Sequence, residues 1–303
     1  MSQRVLITGG TGLVGSALTK ELLGRGYEVC YLSRKAGVTK EGITCYAWDY
    51  THDYIDETCI DGVDFIIHLA GAGVADKGWT KKRKLEILDS RVKTSLLLRD
   101  LLRRREHKVK KVISASAVGF YGIQRNEVLD ENSEGAHDFL ATVTRSWEAS
   151  VDQIADEGVA VCKLRIGIVL SLKGGALPKM LLPIKWGVGS ALGHGEQLTP
   201  WVHIDDVVRM FIACFDDKFR GVYNVTAGNA VTNIELTKSI ATQVNRPLFM
   251  PKVPKFALQI LFGEMAEVVL SSLNVQPKRF MESGVSPKYS RLDDALRNLI
   301  SND

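Results

Sequence analysis

One stretch limits the fold of this chain more than any other: Val5-Leu6-Ile7-Thr8-Gly9-Gly10-Thr11-Gly12-Leu13-Val14-Gly15, almost at the first residue. A short aliphatic strand runs into glycines at positions 9, 12 and 15, and an apolar helical pattern of Leu13, Ala17, Leu18 and Leu22 follows. The first glycine lets the chain turn at the strand end. The second removes a side chain where an anion must approach backbone N–H groups, and the third lets the helix pack closely on the strand. A glycine triplet alone also fits a tight turn that binds nothing. The legible strand before it and helix after it favour a dinucleotide diphosphate at the helix amino end. Gly9, Gly10, Thr11, Gly12, Leu13, Val14 and Gly15 are therefore candidate cofactor-binding residues.

Strand and helix patterns alternate from there. Strands are expected at Arg4–Thr8, Glu28–Leu32, Thr44–Trp48, Phe65–Leu69, Lys111–Ala115 and Val159–Ile166, with helices at Leu13–Leu23, Lys81–Arg105 and Phe139–Asp156. In the last of these, Phe139, Val143, Trp147, Val151 and Ile154 share one face, as in a helix covering a sheet. This order predicts an α/β fold with a Rossmann-type, doubly wound parallel sheet, its ligand lying along the C-terminal strand ends. The later chain is less regular. Asp205 or Asp206 is expected to cap a helix running to Phe215, and Thr232 or Asn233 one from Ile234 to Val244. The expected division is 1–247, with a smaller substrate lobe beginning near 170, and 248–303.

Composition removes several classes. With 39 basic and 35 acidic side chains the net charge is +4, too small a bias to imply a nucleic-acid partner. The basic runs Lys81-Lys82-Arg83-Lys84 and Arg103-Arg104-Arg105 lack interleaved aromatics, apart from nearby Trp79, and read as solvated helix faces. Five scattered cysteines without C-x-x-C spacing suggest reduced, buried thiols and a cytoplasmic setting. With the first strand starting near Arg4, no leader peptide is expected. The apolar stretch Phe256–Leu270 is interrupted by Glu264 and Glu267 and is shorter than a membrane span, so no membrane partner is expected. His194 and His203 have no partners at metal-ligand spacing, and no metal site is expected.

The second strand ends Tyr31-Leu32-Ser33-Arg34-Lys35. An NAD-selective site would place an Asp or Glu here for the adenosine 2′-hydroxyl. Ser33 stands there instead, and the Arg34 guanidinium beside it suits a 2′-phosphate. The expected cofactor is NADP(H), a solvated loop being the alternative for Arg34 and Lys35.

These motifs resemble the extended short-chain dehydrogenase/reductase superfamily. The matches are Thr8 to Gly15, His68-Leu69-Ala70-Gly71, Ser114-Ala115-Ser116 with Tyr121-Gly122, Leu164-Arg165-Ile166-Gly167-Ile168-Val169-Leu170 and Trp201-Val202-His203-Ile204-Asp205-Asp206-Val207. More narrowly, Trp79 through Val92, Arg145-Ser146-Trp147-Glu148 and the block from Val253 to Leu296 are similar to its "epimerase family protein" branch, which ends in a domain of unknown function. The resemblance implies cofactor contacts from Leu69, Ala70, Gly71, Ser114, Ala115 and Ile168. It also sets Glu86 and Arg91 over the cofactor, with Arg91 paired to a phosphate or to Glu86. Arg165, inside a strand, is expected to reach a carboxylate or phosphate.

The superfamily's chemistry uses a Tyr-x-x-x-Lys pair and a Ser or Thr, the Lys lowering the phenol's pKa so that it exchanges a proton as hydride moves. Here the only such spacing, Tyr31 to Lys35, lies at the adenosine end, and Phe139-Leu140-Ala141-Thr142-Val143-Thr144, where the pair belongs, holds neither residue. Ser116 matches the catalytic Ser/Thr position. Tyr121, His137, Asp138 or water are the substitute proton donors.

Three functions stay open: an NADP(H)-dependent, epimerase-like oxidoreductase of an unknown small molecule, a non-catalytic NADP(H)-binding sensor, and a nucleic-acid-associated regulator resting on the basic runs alone. A homodimer through exposed helices is compatible with the fold.

Overall fold

The computed structural model describes residues 2–301. Seven parallel strands form the frame: β1 (Arg4–Thr8), β2 (Glu28–Ser33), β3 (Thr44–Asp49), β4 (Phe65–His68), β5 (Lys111–Ala117), β6 (Ala160–Ile166) and β7 (Gly221–Val225). Their order across the sheet is β7-β6-β5-β4-β1-β2-β3, so the winding reverses between β1 and β4. In register, Thr8 of β1 lies between Leu32 of β2 and His68 of β4. Val5, Leu6, Ile7, Ile66, Ile67, Val112 and Ile113 are completely buried, as central strands covered on both faces require. The covering helices include α1 (Leu13–Gly24), α2 (Lys81–Arg104) and α3 (Phe139–Asp152).

Between β6 and β7 the chain leaves the sheet and begins a second lobe with α4 (Ala176–Lys185), continued after β7 by α6 (Asn233–Gln243), while α5 (Ile204–Ala213) returns to the sheet, where Val207, Val208, Met210 and Phe211 join its core. Thr232 caps α6 in a reciprocal capping box with Glu235. At α5 the expected aspartate cap is replaced by His203, whose Nδ1 accepts the Asp205 N–H at 3.0 Å. Asp206 is thereby freed to turn inward, where its carboxylate accepts the backbone N–H groups of Lys288 at 2.7 Å and Tyr289 at 2.9 Å.

Residues 248–303 do not build a core of their own, as far as they are described. Tyr289, Leu292, Ala295 and Leu296 join Leu170, Leu177, Trp201, Leu236 and Ile240 in the core of the second lobe. The strand Ser272–Val275 pairs in parallel with Gln124–Leu129. The apolar stretch near 260 forms helix α7 (Lys255–Phe262) and short turns, and from 255 to 269 only Leu258 and Ala266 are fully buried. Among the described residues no helix is long and apolar enough to cross a membrane.

Candidate functional site

The glycine loop, Ser33–Arg34, Leu69–Gly71, Ser116 and Ile168 all lie at or just beyond the C-terminal ends of β1, β2, β4, β5 and β6, on one edge of the sheet. The glycines are required sterically. A Cβ at Gly15 would stand 2.4 Å from the Gly9 oxygen, and one at Gly10 would stand 2.3 Å from the Tyr31 ring. Gly9 has φ of +69°, and a Cβ there would press on the Leu69 carbonyl at 3.2 Å. A Cβ at Gly12 would meet only the Gly9 oxygen, at 3.2 Å, so the cradle is open on that side. Gly12 is also the cap residue of α1. No side chain caps that end and its first turn carries no acid, which suits it to an anion.

A directed hydrogen-bond chain fixes the switch between β1 and β4. Thr8 Oγ1 accepts the N–H groups of Leu69 and Ala70, each at 3.0 Å, so its own hydrogen points to His68 Nδ1 at 2.8 Å. His68 Nε2 then donates to Ser95 Oγ at 3.1 Å, and Ser95 donates to the Arg91 carbonyl at 2.8 Å. His68 has no exposed surface. Burial, with the Arg91 cation nearby, pulls its pKa down to about 3, so the ring is neutral and keeps this tautomer.

Arg91 holds the next loop. Its Nη1 donates to the carbonyls of Ala72 at 3.0 Å and Ile87 at 2.9 Å, and its guanidinium lies 5.2 Å from the Trp147 ring centre. A Cβ at Gly71 would stand 3.0 Å from Arg91 Cζ, so a glycine is needed for the cation to approach this loop. The Arg91–Glu86 pair, one of the two alternatives for Arg91, does not form. Glu86 is bound by Arg83 Nη1 at 2.8 Å, and Arg91 has no carboxylate partner among the described residues. Burial and the Arg83 cation lower the Arg91 pKa to about 10, which leaves it charged at neutral pH. Arg34 is exposed just beyond β2, free of any ion pair among the described residues.

The candidate catalytic residues have a different fate. Ser116 of β5 donates to Glu148 Oε1 of α3 at 2.5 Å, and Arg165 of β6 clamps both Glu148 oxygens at 2.8 Å. Arg165 Nη1 also donates to the Tyr121 hydroxyl at 3.0 Å, and that hydroxyl faces Asn224 Oδ1 at 2.8 Å and the Asp130 carbonyl at 2.9 Å. The guanidinium carbon lies 3.3 Å from the Phe120 ring centre. Ser116, Tyr121, Glu148, Arg165 and Asn224 are all at most 6% exposed.

This network meets one expectation and bears on another. Arg165 reaches a carboxylate, the first of its two expected partners, and its guanidinium is engaged inside the fold. Tyr121 has no exposed surface and presents no hydroxyl to the crevice. Burial pushes its phenol pKa up against the opposing pull of Arg165, the reverse of what a catalytic tyrosine needs. Ser114 is also fully buried and turns its hydroxyl to the Ala115 carbonyl at 2.9 Å, while Ala115 is 9% exposed, so these two support the site from within β5. In the first turns of α3, Thr144 Oγ1 merely donates to the Leu140 carbonyl at 2.8 Å. His137 is exposed, and Asp138 caps α3 by accepting the Ala141 N–H at 3.0 Å. Glu148, Asn224, Arg83 and the Thr8–His68–Ser95 chain were not foreseen. For Glu148 a sequence signal was Arg165 itself, a strand-interior cation that demands a buried counter-charge. No cluster of His, Cys, Asp or Glu able to hold a metal occurs among the described residues.

Against known proteins, residues 5–226 match the NAD dependent epimerase/dehydratase family and residues 253–299 match a domain of unknown function (DUF1731). The epimerase family protein YfhF of Bacillus subtilis is 34% identical over 299 residues, covering 98% of either chain. An SDR39U1 homolog of Arabidopsis thaliana, described as chloroplastic, is 34% identical over 98% of this chain and 86% of its own. Among solved structures, human SDR39U1 (isoform 2) with NADPH superposes with a TM-score of 0.87 at 28% identity, over 99% of this chain and 100% of that one. A nucleoside-diphosphate sugar epimerase from Corynebacterium glutamicum gives a TM-score of 0.81 at 31% identity, over 100% of this chain and 59% of its own.

Proposed function

The chain belongs to the NAD dependent epimerase/dehydratase family, and from that premise we propose that it is an NADP(H)-binding, epimerase-like oxidoreductase acting on a small molecule. The observation that carries the cofactor reading is the pairing of an open, uncapped α1 amino end with an exposed, unpaired Arg34 at the end of β2. The first would receive the diphosphate. Arg34 with Ser33 would take the adenosine 2′-phosphate, where an acid would repel it. Arg91, charged, without a carboxylate and close to Gly71, supports the reading as a further anion contact. Glu86, held by Arg83, would keep that cation from competing for the anion. Binding of NADPH by the human relative agrees with this assignment.

When bound, NADPH supplies a hydride. The chain's contribution is to orient it: Thr8 and His68 fix the β1–β4 switch, and Ile168, its N–H bound to the Pro200 carbonyl at 2.7 Å, forms the wall after β6. Because Ser116 and Tyr121 are engaged by Glu148 and Arg165, the accompanying proton would come from water, His137 or Asp138. The same burial favours a second reading, in which the protein holds NADP(H) without turnover and signals its presence to a partner.

Incubation with NADPH deuterated at the transferable ring position and a small-molecule cell extract separates the two. Protein-dependent deuterium in a metabolite is the expected result and would identify the substrate. Tight NADPH binding without label transfer across several extracts would reject the oxidoreductase reading for the sensor.

A further inference from the structure

Large apolar side chains of the second lobe stand in water: Trp186 is 72% exposed, Phe249 80%, Phe256 65% and Ile260 82%. They belong to two stretches that the fold brings together. Val253 N–H donates to the Ala191 carbonyl at 2.9 Å, Gly193 N–H donates to the Val253 carbonyl at 2.8 Å, and Ser190 Oγ donates to the Pro251 carbonyl. The bridge between Leu192 and Val253 is parallel. Phe256 and Ile260, four residues apart on α7, share the outer face while Leu258 is buried.

The charges along these stretches are segregated as well. No Asp or Glu occurs between Glu157 and Glu196, nor between Glu235 and Glu264. The exposed cations Lys179, Lys185, Arg246 and Lys255 have no carboxylate partner among the described residues, and Lys252 approaches Glu196 only to 4.0 Å.

Exposed aromatic and aliphatic side chains among lysines that form no close ion pair match the chemistry of an anionic bilayer surface. A second copy of this chain fits less well, because a two-fold contact would set these cations against themselves. We propose that these side chains form one surface that docks the protein on anionic lipid, with Trp186, Phe249, Phe256 and Ile260 entering the interfacial layer and Lys185, Lys252 and Lys255 at the headgroups. The expectation of no membrane partner rested on the lack of a spanning segment, and surface docking requires no span.

The test is co-sedimentation of the full chain with vesicles of phosphatidylcholine alone, or with about a third phosphatidylglycerol. Binding is expected to be about a hundredfold tighter on the anionic vesicles and to fall at least about tenfold in high salt. Replacing Lys185, Lys252 and Lys255 together by Gln should weaken it by about fivefold per cation. Trp186→Ser with Ile260→Ser should weaken it at least about tenfold. Unchanged far-UV circular dichroism and melting temperature would show that these surface variants still fold. Equal binding to both vesicle types, or none to either, would overturn the proposal. So would a concentration-dependent dimer, seen by analytical ultracentrifugation without lipid, that Trp186→Ser with Ile260→Ser dissolves.

Discussion

Replacing Glu148 by Gln should damage this fold more than almost any other single-atom change. The Glu148 carboxylate accepts from Ser116 Oγ at 2.5 Å and from Arg165 Nε and Nη2 at 2.8 Å, with Glu148 6% and Arg165 4% exposed. Burial works against the Arg165 cation, and the hydrogen bonds and charge of Glu148 outweigh it, holding the Arg165 pKa above its ordinary value. Glu148→Gln keeps the volume and removes the charge, leaving a buried guanidinium with Tyr121 and the Phe120 ring for company. Breaking one side of such a pair costs about 3–5 kcal/mol, because the desolvated partner is left uncompensated. Arg165→Met should cost a similar amount by stranding Glu148. Removing both charges, as Glu148→Leu with Arg165→Met, should cost only about 1–2 kcal/mol, chiefly for the Ser116 hydroxyl that loses its acceptor. Urea unfolding followed by tryptophan fluorescence reads all three variants. The double variant should unfold at higher urea than either single variant. Additive losses, or a Glu148→Gln midpoint equal to that of the parent, would refute the reasoning.

Two further perturbations test the switch region. His68 titrates at about 3 in the fold against an ordinary 6.5, so the unfolded chain binds a proton that the folded one refuses. Stability should be unaffected by this group above that ordinary value and fall by about 1.4 kcal/mol per pH unit as pH drops below it, until the folded pKa is reached. His68→Asn should flatten that part of the urea-midpoint profile; an unchanged slope would show that His68 is not its source. Gly15→Ala should cost about 1–3 kcal/mol, because its Cβ would stand 2.4 Å from the Gly9 oxygen and force α1 off the sheet. The same variant should lose NADPH affinity in a fluorescence titration, and wild-type affinity would contradict the close-approach argument.

The sheet was legible because its signals are local. An aliphatic run followed by glycines and a helical period needs only neighbouring residues to be recognised, and Ser33–Arg34 could be placed by counting on from the glycines. The buried polar network was not legible. Ser116, Tyr121, Glu148, Arg165 and Asn224 come from separate elements, and only the register that sets Arg165 beside both Ser116 and Asn224 brings them together. The Glu86–Arg91 pair is absent for a geometric reason: residues five apart lie roughly 140° around a helix, whereas Glu86 and Arg83, three apart, face each other. At α5 the sequence offered two aspartates for a cap. The hydrogen bonds from Lys288 and Tyr289 draw Asp206 inward, and a histidine before it takes the role.

The account stands most directly on cofactor choice at Arg34. Isothermal titration of the parent and of Arg34→Ala with NADPH and with NADH isolates the 2′-phosphate contact. The account predicts that the parent binds NADPH well ahead of NADH, and that Arg34→Ala weakens NADPH by about tenfold to a hundredfold while leaving NADH nearly unchanged. Equal affinity of the parent for both nucleotides, or an Arg34→Ala variant that binds NADPH as the parent does, would contradict it.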